Sequence, residues 1–173
     1  GGGLAALNAR HIAAELGCSV GSLYNLFVDL DDLVLHVAAS VVDEMAAALF
    51  AEPLPEAPDA AVCELGLRYV RFAAREGRLW AMVFEHEPAH DRPTPSWHLE
   101  RIAGLLAAVH AAVAPAFAER GEASAVAATV ELLWASVHGI AALSQKGKLG
   151  FVTATDAEAL VRRLVATVLA GTR

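Results

Sequence analysis

The sequence predicts an all-α protein, and three observations carry that prediction. The composition is 56% hydrophobic and rich in alanine, the strongest helix former. Apolar residues recur at steps of three and four, whereas the alternation of a half-buried strand is almost absent. The 13 glycines and 7 prolines fall mostly between the apolar runs, where they punctuate helices. A chain of 173 residues can bury one sizeable core or two small ones, and one compact unit with a small appendage fits best. Its net charge of −7 and pI near 5.4 exclude a global field that would attract a polyanion. Any nucleic-acid contact must therefore be local.

The first helix is expected in "NARHIAAELG", with Asn8 as cap, Ile12, Ala13 and Leu16 on one apolar face, and Gly17 as terminator. After a three-residue turn Ser19 can cap "VGSLYNLF", whose Val20, Leu23 and Phe27 can pack on the first helix. Two short helices so joined have the form of a helix-turn-helix. A third helix runs from Asp29 or Asp31 through Phe50, with acidic residues in the first turn where the helix dipole favours them. "EPLPEAP" ends it. Asp59 is expected to cap a helix reaching Glu76, with Val62, Leu65, Tyr69, Val70 and Phe72 inward, and Gly77 separates it from a shorter "LWAMVFE" helix. Ser96 can cap a long helix from Trp97 to about Ala114, near Pro115. Its apolar face is Ile102, Leu105, Leu106, Val109 and Val113.

The last two helices are the most strongly patterned. Val126, Val130, Leu133, Val137 and Ile140 make an apolar seam, and Asp156 caps a final helix striped by Leu160, Val161, Leu164, Val165, Val168 and Leu169. One small domain seldom needs two such stripes besides its own core. Pairing Val126, Val130, Leu133, Val137, Ile140, Leu160, Leu164 and Val168 with a second subunit's copies would bury them in a four-helix bundle, so a homodimer is expected. The other reading, with both stripes facing the chain's own core, stays open.

The string His86-Glu87-Pro88-Ala89-His90 matches the H-E-x-x-H pattern of zinc hydrolases, which needs both histidines on one helical face. Pro88 removes a backbone donor and pushes Glu87 out of helical conformation, and Pro93 and Pro95 follow. Two surface histidines in a loop is the preferred reading; a hydrolase using His86, Glu87 and His90 is the alternative, and no enzyme, metal or cofactor is expected. Cys18 and Cys63 form no C-x-x-C pair and suit reduced thiols. Gly1-Gly2-Gly3 leads into an Ala/Leu segment without a basic stretch, and the longest apolar run, 123–143, carries Glu131 and His138, so a cytoplasmic protein without a membrane span is expected.

The segment "GLAALNARHIAAELGCSVGSLYNLF" resembles the tetracycline-repressor (TetR) family of bacterial transcriptional regulators. That family's pattern is a glycine, a capping Ser, Thr or Asn, an Arg-x-Ile-Ala step, a Gly-x-Ser turn, Gly-Ser/Thr-Leu-Tyr and a closing Phe. Gly3, Asn8, Arg10, Ile12, Ala13, Gly17, Ser19, Gly21, Ser22, Leu23, Tyr24 and Phe27 fill it in order. "LWASVHGIAAL" is similar to the Trp-x-x-x-His-Gly pattern of one subgroup's C-terminal domain. The resemblance implies a helix-turn-helix DNA-binding domain over 1–40 and a ligand-binding, dimerising domain over 41–173. It also implies a homodimeric repressor on a palindromic double-stranded DNA operator, released by a small-molecule effector. Two departures accompany it. The family's first helix, preceding the glycine matched by Gly3, is not among these residues, so the reading head is expected to be incomplete. Leu30 stands where the family usually has a phosphate-binding lysine, and with Asp29, Asp31 and Asp32 it makes an acidic corner that should repel phosphate.

In the major groove the second helix would present Ser19, Ser22 and Asn25, the last suited to adenine. Tyr24 would reach a phosphate or thymine methyl, and Asn8 and Arg10 would hold backbone phosphates. For the effector, Trp80, Met82, Phe84, Trp97, His110, Trp134 and His138 are the candidates to line a mostly apolar cavity. Glu131 and His138 are two turns apart, too far to share one metal ion.

Overall fold

The side chains that begin each helix set its register. A computed structural model describes residues 8–85, 93–118 and 126–171, which form eight α-helices and, among the described residues, no strand. Helix α1 (Ala9–Glu15) starts where the Asn8 side-chain oxygen accepts the Arg10 N–H at 2.9 Å. It stops at Gly17, whose φ of 66° lies in the left-handed region. There Cys18 N–H reaches the Ala13 carbonyl at 2.9 Å and Gly17 N–H the Ala14 carbonyl at 3.2 Å, which satisfies the helix's last carbonyls. Helix α2 (Val20–Leu26) begins with the Ser22 N–H donating to Ser19 Oγ at 3.0 Å. Buried Ala13 and Leu23 anchor the pair.

Helix α3 (Leu30–Leu49) is capped by Asp29, whose carboxylate accepts the Asp32 N–H at 2.8 Å, while Asp32 accepts the Val28 N–H at 3.0 Å. Position 40, where the two domains were expected to part, falls inside this unbroken helix. Helix α4 (Pro58–Arg75) departs from expectation at its start: Ala57 is the cap and Pro58 opens the helix, with Asp59 in the first turn. Proline suits that position because its missing N–H has no helical partner there. Helix α5 (Gly77–Glu85) follows directly, and α6 (Ser96–Ala118) runs past Pro115 instead of stopping before it. Proline removes one helical bond there, but Ala116 and Phe117 beyond it are wholly buried, and their packing holds the last turn in place.

Helix α7 (Val126–Gln145) ends at Gly147, the second glycine with positive φ, and Asp156 caps α8 (Ala157–Gly171) by accepting the Ala159 N–H at 2.8 Å. Helix α4 is central and touches α3, α5, α6, α7 and α8. Its Phe72 and Leu67 join Val41, Phe117 and Val161 as the largest fully buried side chains. At Gly66 a Cβ would stand 2.8 Å from Val161 Cγ1, so α4 and α8 approach closely only because that position is glycine. Arg71 clamps the same pair from outside, its Nε and Nη2 donating to Glu158 at 2.8 and 2.7 Å, which holds the Glu158 carboxyl below its usual pKa.

This packing takes three residues out of the expected subunit seam. Val130, Leu133 and Val137 are at most 7% exposed within the single chain, so they have almost no surface left to bury against a partner. Val126, Ile140, Leu164 and Val168 are partly buried against the same core, and Leu160 is half-buried. Both stripes turn toward the chain's own core, where α7 and α8 pack on α4 and on each other, and their periodicity alone could not say which apolar surface they meet. His86, Glu87 and His90 lie outside the described residues. Neither Cys18 nor Cys63 is in a disulfide, and burial pushes the Cys63 thiol's pKa up.

Candidate functional site

Two surfaces hold the chemistry, one at each end of α3. At the head, Asn8, Arg10, Ser19, Ser22, Tyr24 and Asn25 are all exposed, and Leu23 beneath them is buried. Asn8 and Ser19 carry structural work besides, since their oxygens cap α1 and α2, and Ser19 Oγ lies 2.9 Å from Ser22 Oγ. The acidic corner has the same physical origin: Asp29 and Asp32 hold the turn into α3 through backbone donors.

At the other end, α4, α6 and α7 part around an apolar cavity. Its empty space is about 640 Å³, including the part that opens to solvent. Its wall includes Tyr69 and Leu65 of α4, Leu105 and Val109 of α6, and Trp134 and Val137 of α7, and Leu49 closes it from α3. Of the expected pocket residues only Trp134 lines it directly. Trp80, Phe84 and His138 form a second layer behind Tyr69 and Trp134. There the His138 ring centroid is 4.4 Å from Phe84, 4.9 Å from Trp80 and 5.3 Å from Trp134. Met82 packs against the core. Trp97 belongs elsewhere, stacked on His36 of α3 at 4.4 Å, and half-buried His110 is not part of the wall.

Sequence reasoning missed Tyr69 as a site residue. Its hydroxyl accepts the Trp80 Nε1–H at 3.2 Å and lies 2.8 Å from His138 Nδ1. Burial pushes the tyrosine pKa up and the histidine pKa down, so both are neutral near pH 7. A phenol proton needs an acceptor when buried, and His138 Nδ1 is the one in reach, which places the histidine's own proton on Nε2. The available signal was a tyrosine on an inward helix face, which must find a partner for its hydroxyl.

A run of rings links the head to α6. Phe27, just after α2, lies 5.5 Å from His36, and His36 stacks on Trp97 at the start of α6 with an interplanar angle of 18°. Next to them His98 is 5% exposed, its Nδ1 has no partner, and burial lowers its pKa. One turn further Arg101 pairs with Asp43. Helices α3 and α6 are thus joined through aromatic stacking and an ion pair, and α6 is also a wall of the cavity.

Comparisons with known proteins agree with this layout. A family described as "Tetracyclin repressor-like, C-terminal domain" matches residues 62–168. A protein of unknown function from Rhodococcus sp. RHA1 is similar in structure, with 25% identity and a TM-score of 0.77 over 97% of this chain and 86% of that one. SCO4313, described as a candidate regulatory protein, shares the fold with 20% identity and a TM-score of 0.72, over 95% of this chain and 85% of its own. No curated protein matches the sequence.

Proposed function

The chain belongs to the tetracycline repressor-like family, and from that premise we propose that it is a DNA-binding transcriptional regulator acting as a ligand-released repressor. In this reading residues 1–40 carry the reading head, and residues 41–173 bind the effector and a second copy of the chain in the cytoplasm. The observation that carries it is the single helix α3, which leaves the head beside Phe27 and ends at Leu49 in the cavity wall. A molecule that fills the cavity presses on the element that aims the head.

Ser22 and Asn25 read bases, Tyr24 and Arg10 hold phosphates, and Asn8 and Ser19 position the helix ends. The second copy docks on the outer face of α7, where Ala128, Leu132, Ala135, Gly139 and Leu143 follow each other at helical spacing. Leu132 is 55% exposed and Leu143 38%, and a Cβ at Gly139 would meet nothing. Helices α6 and α7 are long and apolar enough to cross a membrane, yet only 17% and 28% of their most apolar windows are buried. Both carry core side chains on their inner faces, which favours a soluble partner over lipid for their outer ones.

Selection from random duplex DNA, followed by anisotropy titrations at several salt concentrations, tests the proposal. The expected result is a palindrome bound about a thousandfold tighter than random DNA. Folded, dimeric protein that enriches no sequence overturns it in favour of a helical ligand-binding dimer without operator binding. The carboxylates around Leu30 favour that second reading, because they repel a phosphate backbone.

A further inference from the structure

We propose that the cavity takes an uncharged, hydrocarbon-like effector and rejects carboxylates and ammonium ions, because its one hydroxyl is tied to side chains outside the wall. This deepens the effector reading above and rests on it. Of the 14 described residues that line the cavity none is acidic or basic, and among them only Tyr69 and Trp134 carry a polar side-chain atom. The Tyr69 oxygen is occupied by the Trp80 N–H at 3.2 Å and by His138 Nδ1 at 2.8 Å, and neither of those residues lines the cavity. What Tyr69 offers a ligand is therefore its ring. The remaining polar group is the Trp134 indole N–H, a donor with no acceptor capacity.

The backbone adds little, since the lining residues sit within helices whose amides and carbonyls bond to each other. An ion in such a space would lose its water and gain no counter-charge, a penalty large enough to exclude it. An apolar chain gains instead. Leu105, Leu106 and Val109 of α6 are only half-buried, so a ligand laid against them completes the burial that the chain leaves unfinished. The room inside the walls is about 70 Å³ and opens to solvent, so a short alkyl segment fits within it and a longer chain extends along the half-buried α6 side chains. One acceptor oxygen, as in an alcohol, ether or ketone, is compatible with the Trp134 N–H, and a second polar group has no further side-chain partner among the described lining residues.

Isothermal titration calorimetry on the full chain with 1-hexanol, 1-octanol and 1-decanol, and with decanoate and decylammonium, tests the inference at pH 7.5. Alkanol affinity is expected to rise about fourfold per methylene. Decanoate and decylammonium should bind at least about tenfold more weakly than decanol. Val109→Trp, shown to be folded by circular dichroism, should abolish decanol binding by filling the space, whereas Tyr69→Phe should leave it within about threefold because the ring is kept. A charged probe that binds as tightly as decanol overturns the inference. So does a loss beyond about tenfold in Tyr69→Phe, which would mean that the hydroxyl serves the ligand. Failure of every alkanol to bind, or decanol binding untouched by Val109→Trp, overturns the cavity as the site. A protein that binds decanol as described but selects no operator would keep this inference and lose the repressor reading.

Discussion

Tyr69→Phe is the most informative single change, because it deletes one oxygen and disturbs three residues. In the native chain that oxygen accepts from Trp80 Nε1 at 3.2 Å and donates to His138 Nδ1 at 2.8 Å. Each neutral hydrogen bond contributes about 0.5–1.5 kcal/mol net. Trp80 is 3% exposed, so its N–H would be left without water or partner, at a further cost of about 1 kcal/mol or more. His138 is half-buried and recovers part of its loss through solvent. The expected destabilisation is about 2–4 kcal/mol, which for a chain of this size lowers Tm by roughly 4–16 °C. Urea unfolding at one fixed protein concentration, which holds any self-association constant, measures it. Adding His138→Phe in a double-mutant cycle isolates the pair, with a coupling of at least about 0.5 kcal/mol expected. A single-mutant cost below about 0.5 kcal/mol, with no coupling, would refute the relay and return Tyr69 to plain packing.

Lowered histidine pKa values make the fold sensitive to acid. Burial disfavours protonation of His98 and His138, so the unfolded chain takes up protons that the folded chain refuses. Their contribution is complete above the ordinary histidine value of about 6.5 and is lost as pH falls below it, so Tm should drop between pH 7 and 5.5. A flat or rising Tm over that interval contradicts the burial of both rings. On DNA, Asn25→Ala should cost about 1–3 kcal/mol and relax preference at one operator position. Arg10→Ala should instead weaken binding evenly across sequences and flatten the salt dependence. Equal losses from both on every sequence would argue against base reading by Asn25. Leu132→Arg places a charge on the outer face of α7 and should yield a monomer in sedimentation velocity. An unchanged dimer would move the subunit contact elsewhere.

Much of the helical architecture was legible because helix ends are written in local chemistry. Asn8, Ser19, Asp29 and Asp156 cap as their side chains dictate, and Gly17 stops α1 because it tolerates a φ of 66°. Where tertiary packing overrides local preference the reading failed. Pro115 is a helix breaker by itself, yet buried Ala116 and Phe117 carry α6 three residues past it. The seam of α7 was visible as a stripe, but a stripe does not name the surface it meets, and α4 claimed it. The cavity was partly legible for a related reason. Aromatic residues marked the region, whereas the side chains that form the wall, such as Leu105 and Val109, look like any core leucine or valine in sequence. Trp97 shows the converse, an aromatic whose partner, His36, lies on another helix and leaves no trace in local spacing.

Arg68 has a consequence for how α3 can move. Its Nη1 donates to the carbonyls of Leu49 and Glu52 at 2.8 Å each, its Nη2 reaches Pro53 at 3.3 Å, and its Nε pairs with Glu64 at 3.0 Å. A planar guanidinium can serve these directions together, and a lysine could not. The distal end of α3 is thus riveted to α4, while its other end rests on α6 through the His36–Trp97 stack and the hydrogen bond of His98 to the Leu35 backbone. The helix is a lever with its fulcrum beside the cavity. At 1.5 Å per residue its length is about 30 Å, so a tilt of about 5° at the rivet carries the head roughly 2.5 Å. A displacement of that size is comparable to a hydrogen-bond length, and on the operator proposed above it would take base contacts out of reach in the groove without unfolding anything.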